Sequence, residues 1–129
     1  MRSGHGWKCG KLDDIPPTKD SFMDGWHSVR HFMNVQAFGI NAVTGKKSGD
    51  ELIKEHTEAD SNQQEVFFIH KGQAEFNIDG EKCLAEAGTF VAIEPHCVRS
   101  VTALKAGTQL IVVGAPLNKA YSVPNWDKP

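Results

Sequence analysis

Several features are scarce in this chain of 129 residues, and each scarcity excludes something. No apolar run approaches the roughly 20 residues that span a bilayer; the longest, Leu110-Ile111-Val112-Val113, is the length of a strand. There is no excess of basic residues: the net charge is −2, which leaves no electrostatic reason to expect nucleic acid. Cysteine occurs three times, as Cys9, Cys83 and Cys97, an odd number at wide spacings without a C-x-x-C pair. That argues against a disulfide framework or a zinc ribbon and for free thiols in a reducing compartment. No N-x-S/T acceptor occurs, and the opening residues lack the apolar stretch of a secretory signal, so the expected location is the cytoplasm. Internal repeats and low-complexity segments are also missing.

What is present is an ordinary globular composition, 40% apolar and 23% charged, with twelve glycines and six prolines. The chain is the size of one compact domain, and its many turn formers favour a β fold. Residues 1–20 read as an extended arm: Pro16-Pro17 forbids a helix there, while Trp7 and Ile15 are possible anchors. The first ten residues can equally be foreign to the native chain. Residues 22–33 fit a helical stripe (Phe22, Trp26, Val29, Met33) as well as a strand face (Trp26, Ser28, Arg30, Phe32); Gly25 tips the reading towards strand. His27 and His31, four apart, would suit a metal only on a helix, so they are read as ordinary residues.

From residue 35 onward the pattern is β. Strands are expected over 35–44, 51–58, 65–71, 73–78, 81–84, 89–94, 98–104 and 108–113. Asp79-Gly80 marks a two-residue type I′ hairpin. Short, evenly spaced strands without helical interludes imply a sandwich or barrel. Phe38, Ile40, Phe67, Ile69, Phe76, Ile78, Phe90, Ile93, Ile111 and Val113 are expected to serve as core or sheet packing, and the tail beyond Pro116, with Tyr121 and Trp126, is expected to cross a sheet edge.

Alternation assigns faces to the polar residues. Glu65 shares a face with Phe67 and Ile69, opposite Val66, Phe68 and His70, and both faces are apolar enough to be buried. A carboxylate there needs a cation, an arginine or water. Lys54, His56 and Glu58 share another face, and His56 would meet Glu65 if their strands paired across the Asp60 loop. Arg99 lies on one face with Cys97 and Val101; if these point inward so does the guanidinium, which then requires a carboxylate or an anionic ligand.

This order of residues resembles the cupin superfamily of small jelly-roll β-barrels. Glu65 followed by six residues and Gly72 is similar to the end of the first cupin motif; Gly88 opens the second, and Pro95 lies one place beyond its proline. The likeness covers residues 49–114. The closing stretch through Trp126 is similar to a small single-domain subgroup of unassigned function. The resemblance implies an all-β, single-domain jelly-roll barrel over residues 21–129. Such barrels hold Fe, Mn, Zn or Ni on three histidines and a glutamate. Here the His-x-His pair is reduced to His56, and eleven residues past Gly88 stands Arg99 in place of the last histidine. Only His56 and Glu65 carry over as metal ligands, fewer than the three of an open catalytic site.

Glu65 and Arg99 therefore admit three roles: an internal ion pair, a pair holding an anionic or hydroxylated small molecule, or metal ligation by Glu65. His56 reads as a solvated strand residue, a ligand or a general base. His96, in the turn beside Pro95, reads as a rim residue or a substitute ligand, with Glu58 another candidate. Cys97 has nothing nearby in sequence to make it a thiolate. The expected function is binding of a small molecule in a polar cavity lined by His56, Glu65 and Arg99, beside a degenerate metal site. The alternatives are a metal-dependent dioxygenase or isomerase, and a non-catalytic dimeric module. Whether it is an enzyme stays open. A homodimer is expected, because cupins commonly pair through edge strands; nucleic acid and membrane partners are not expected.

Overall fold

The computed structural model describes residues 1–18 and 25–128. Two antiparallel sheets dominate it. One has five strands in the order β3 (Trp26–His27), β4 (Gly39–Thr44), β11 (Gln109–Pro116), β6 (Gln63–Lys71) and β9 (Phe90–Ile93). The other has four, in the order β5 (Glu51–His56), β10 (Arg99–Ala103), β7 (Gln73–Ile78) and β8 (Glu81–Glu86). Apart from the neighbours β3–β4 and β7–β8, strands adjacent in sequence from β3 onward fall in different sheets, and the result is a jelly-roll barrel. No described helix is long and apolar enough to cross a membrane.

The space between the sheets is filled from both inner faces. Phe67, Ile69 and Leu110 come from one sheet and Leu52, Phe76 and Val101 from the other, all essentially without solvent contact. Phe67 and Phe76 meet edge to face, with centroids 5.5 Å apart. Burial of this kind stabilises by about 25 cal/mol per Å² of apolar surface. The outer faces are wetter than expected. Val66 and Phe68 are only half-buried, and Phe90 is 69% exposed, stacked on Phe68 at 4.6 Å. Phe38 is also exposed, while Ile40, Ile111 and Val113 are intermediate. Ile40, Phe90, Ile111 and Val113 pack on the outer faces of their strands, and Phe38 lies just ahead of β4, so these serve as sheet packing and not as core.

Residues 73–78 form the expected strand, and Asp79-Gly80 turns it into β8 with φ of 51° and 85°, both positive as a type I′ turn requires. Two readings near the N-terminus are corrected. Residues 1–10 are not simply extended: β1 (Arg2–Gly4) and β2 (Trp7–Cys9) pair as a hairpin, followed by a 3-10 turn at Leu12–Asp14. Ile15 is the buried anchor, whereas Trp7 is half exposed. Residues 22–24 lie outside the described residues. Only Trp26–His27 is strand, and Val29–Met33 is a helix, α1. Its start is set by Ser28, whose Oγ accepts from the His31 N–H, and its end by Asn34 at φ 57°. Gly25 precedes the helix and so does not weaken it. His27 and His31 sit on different elements; His27 Nδ1 lies 2.8 Å from the Ile15 carbonyl oxygen, and His31 is exposed against Phe32.

The tail does more than cross an edge. From Pro116 it runs to a 3-10 turn at Asn125–Asp127, where Asp127 is buried and bonds both the Ser28 hydroxyl and Arg30 Nε, the latter at 2.5 Å. Arg30 Nη2 also donates to the Asp127 carbonyl at 2.9 Å. Trp126 lies edge-on to Trp26, centroids 6.1 Å apart.

Candidate functional site

A cavity of about 540 Å³ opens at one end of the barrel, a volume in the usual range for small-molecule sites. β5 and β6 do not pair, so His56 and Glu65 are not neighbours in one sheet as proposed from the sequence. His56 instead stands opposite Arg99 in the β5–β10 register, and Glu65 reaches them from the other sheet. The inter-sheet gap is what brings the three together.

His56 Nδ1 donates to the Lys54 carbonyl at 2.7 Å, which leaves Nε2 as the atom facing Glu58 Oε2 at 3.2 Å. A backbone acceptor on one ring nitrogen is the usual device for holding the other in a ligating tautomer. Glu58 lies two residues on, just past the strand end, held where its N–H donates to the Pro95 carbonyl at 2.9 Å. Ligand atoms of His56, Glu58 and Glu65 all fall within 4.8 Å of one another, and all three residues line the cavity. Glu58 therefore supplies the third donor that His56 and Glu65 alone lacked. The readable signal is His56-Thr57-Glu58, a carboxylate at the spacing of a second histidine.

Of the roles considered for Glu65 and Arg99, the structure shows the internal ion pair. The Arg99 side chain is fully buried and is not part of the cavity wall. Nη1 donates to Glu65 Oε1 at 2.8 Å, Nη2 to the carbonyls of Glu94 and Cys97 at 2.5 and 3.0 Å, and Nε to Cys97 again at 3.3 Å. With its donors so engaged, the guanidinium is the internal partner of Glu65 and a strut for the 94–97 turn. It is not a hand extended to a ligand. His96 is exposed and lines no part of the cavity, and His70 is exposed on the outer face. Cys97 is half-buried; burial and its hydrogen bond to Asp79 raise the thiol pKa, so it is no ready thiolate.

The electrostatics follow from two carboxylates converging. Burial, and next the charge of Glu58, raise the Glu65 pKa against the opposing pull of Arg99. The hydrogen bond that His56 Nε2–H donates to the Glu58 carboxylate raises the His56 pKa above its ordinary value, partly offset by desolvation. Both folded-state pKa values lie above the unfolded ones. Their contribution to stability is therefore complete below the ordinary values of 4.5 and 6.5, and is lost as pH rises through the raised ones. Metal-free protein is expected to lose melting temperature as pH rises above these ordinary values. Glu58→Gln, which removes a cause of both shifts, should flatten that decline. An equally steep profile in the variant would show that Glu58 is not the source.

A divalent cation matches this donor set. One imidazole nitrogen and two carboxylates are borderline-to-hard ligands suited to Fe, Mn, Zn or Ni, and three protein ligands leave positions open. Arg99 offsets one of the two carboxylate charges without entering the cluster.

Residues 47–113 match the family model described as "Cupin domain". No curated protein matches the sequence. Among solved structures, a predicted oxalate decarboxylase from Thermotoga maritima aligns at TM-score 0.68 and 16% identity, covering 85% of this chain and 100% of that one. A cupin protein from Bacteroides fragilis aligns at TM-score 0.64 and 15% identity over 86% and 92% of the two chains. KdgF from Halomonas sp. aligns at 0.62 and 17% identity, over 78% and 86%. At these identities the likeness speaks for the fold alone.

Proposed function

Because the chain belongs to the cupin domain family, we propose that it binds a divalent cation, Fe, Mn, Zn or Ni, and beside it a small hydroxylated molecule in the barrel cavity. The observation that carries this reading is the convergence of His56, Glu58 and Glu65 within 4.8 Å on the cavity wall. Two carboxylates this close repel one another unless a proton or a cation intervenes. His56 Nε2, a Glu58 oxygen and the Glu65 oxygen not engaged by Arg99 would hold the ion. When bound, the ion supplies a Lewis acid that polarises a ligand oxygen.

The remaining chemistry belongs to the chain. Arg99 orients Glu65, the Lys54 carbonyl orients His56, and the Pro95 carbonyl fixes the backbone at Glu58. In the metal-free cavity Glu58, Asp60 and Glu65 outnumber the lining cation Lys54, and Arg99 is sequestered behind the wall. The balance favours a hydroxylated ligand over a free anion.

The test is calorimetric titration of metal-stripped protein with Mn²⁺ and Zn²⁺. About one ion per chain is expected, with His56→Ala and Glu58→Gln each weakening binding by about tenfold or more. A control remote from the cavity, the exposed Glu81→Gln, should bind as wild type. Absence of saturable binding, or unchanged affinity in His56→Ala, would refute the proposal.

A further inference from the structure

The wall remote from the donor cluster has a chemistry of its own. Asn41, Val112 and Phe67 form one row across the adjacent strands β4, β11 and β6, and all three line the cavity. Val112 and Phe67 are buried and apolar. An amide in such a row is the exception that needs a reason. Asn41 is only 8% exposed, and its side-chain oxygen is buried without a hydrogen-bond partner among the described residues. A buried amide left unpaired is costly, and rotation about its last torsion exchanges the oxygen and nitrogen without changing shape. Either orientation leaves one polar atom awaiting a partner.

The next row is Gly39, Gly114 and Glu65. Two glycines side by side leave this stretch of wall without side chains. A Cβ at Gly39 would meet the Tyr121 hydroxyl at 3.4 Å, an ordinary contact distance, so Tyr121 lies directly against this stretch of strand. Tyr121 and Trp126 of the C-terminal segment then complete the wall, Trp126 remaining 48% exposed at the mouth. Asn41 is two strands from Glu65, roughly 10 Å at the usual inter-strand spacing, too far for one ion to serve both.

We infer that Asn41, Tyr121 and Trp126 form a second subsite in this cavity, which takes a neutral ring bearing hydroxyl groups. The ring face lies against the aromatic side chains and a ring hydroxyl hydrogen-bonds the Asn41 amide. Apolar and aromatic walls with the buried Asn41 amide, and the Gln63 amide beside Gly114, fit a saturated sugar-like ring and a hydroxylated aromatic ring alike, since both offer an apolar face and an O–H donor. The acidic groups at the opposite end select against an anionic ring. This inference rests on the cavity being a binding site, as proposed above, but not on the presence of a metal.

The experiment uses the full chain, metal-stripped, with three probes: methyl glucoside, catechol and glucuronate. Calorimetry gives affinity, and tryptophan fluorescence reports on the cavity pair Trp26 and Trp126, the contribution of Trp126 being read from Trp126→Ala. One of the two neutral rings is expected to bind saturably and to change the emission, and glucuronate to bind about tenfold more weakly or not at all. Asn41→Leu, similar in shape, and Trp126→Ala, at the mouth, should each weaken the neutral ring by about tenfold. The Mn²⁺ isotherm should be unchanged in both. Circular dichroism confirms the fold, and Trp126→Ala serves as the arm that leaves the barrel wall intact should Asn41→Leu not fold. The subsite is refuted if neither neutral ring binds, if glucuronate binds more tightly than both, or if both folded variants bind as wild type. Loss of Mn²⁺ binding in His56→Ala with ring binding retained supports the subsite; absence of ring binding beside an intact Mn²⁺ isotherm refutes it and leaves the metal reading standing.

Discussion

Replacing Arg99 with alanine is expected to remove about 3–5 kcal/mol of folding stability, the range seen when one partner of a buried ion pair is deleted. The loss has two sources. Glu65, with only 14% of its side chain exposed, is left without its cation. The carbonyls of Glu94 and Cys97 lose the donor that ties the 94–97 turn to the barrel. The deficit should shrink at acid pH, because Glu65 already holds its proton more tightly than a free glutamate and can take one when unpaired. Urea denaturation at about pH 5 and pH 8 measures both effects. The double variant Arg99→Met with Glu65→Leu, which removes both charges and keeps volume, should be more stable than Arg99→Ala alone. If Arg99→Ala costs less than about 1 kcal/mol, as an exposed pair would, the pair does not hold the barrel end together.

The second large effect is expected at Asp127. Its carboxylate joins the Ser28 hydroxyl to Arg30 Nε, and both charged side chains are almost wholly buried. Asp127→Ala leaves the Arg30 guanidinium, among the described residues, with the backbone carbonyls of Val35 and position 127 as its acceptors. A loss of about 3–5 kcal/mol is again expected, limited by the docking energy of the tail, since this segment can detach without opening the barrel. Limited proteolysis should then cut the variant after Leu117, while the wild type resists, and emission from Trp126 should shift as its edge contact with Trp26 is lost. Asp127→Asn, which can still accept from Ser28, should lie between the two. Equal protease resistance in Asp127→Ala would mean that the tail is held by its aromatic contacts alone. Because Tyr121 and Trp126 line the cavity, release of the tail should also weaken ring binding without altering the His56 cluster.

Much of this architecture was legible in the residue order. The period of two placed Glu65, Phe67 and Ile69 on one face and Arg99 with Val101 on another, and the barrel keeps both assignments. The Asp79-Gly80 turn and the strand of residues 73–78 were read correctly because they depend on local backbone preference, which neighbours in sequence encode. The helix at Val29–Met33 was missed for a local reason as well: Ser28 and Asn34 were the caps to weigh, not Gly25. The outward position of Phe90 shows the limit of hydrophobicity as a guide, since a half-buried strand can carry an aromatic on its wet face.

Long-range assembly decided the rest. Alternation says which side chains share a face but not which strands become neighbours or which sheet each one joins. His56, Glu58 and Glu65 meet because β5 and β6 separate into opposing sheets, and Arg99 is drawn behind Glu65 by the β5–β10 register. The expected hand for an anion thus became an internal strut. The union of Ser28 and Arg30 with Asp127 spans almost the entire chain, and no local pattern marks it. Strand order and inter-sheet packing follow from the burial of both inner faces at once, a condition that the whole chain satisfies and no segment specifies alone.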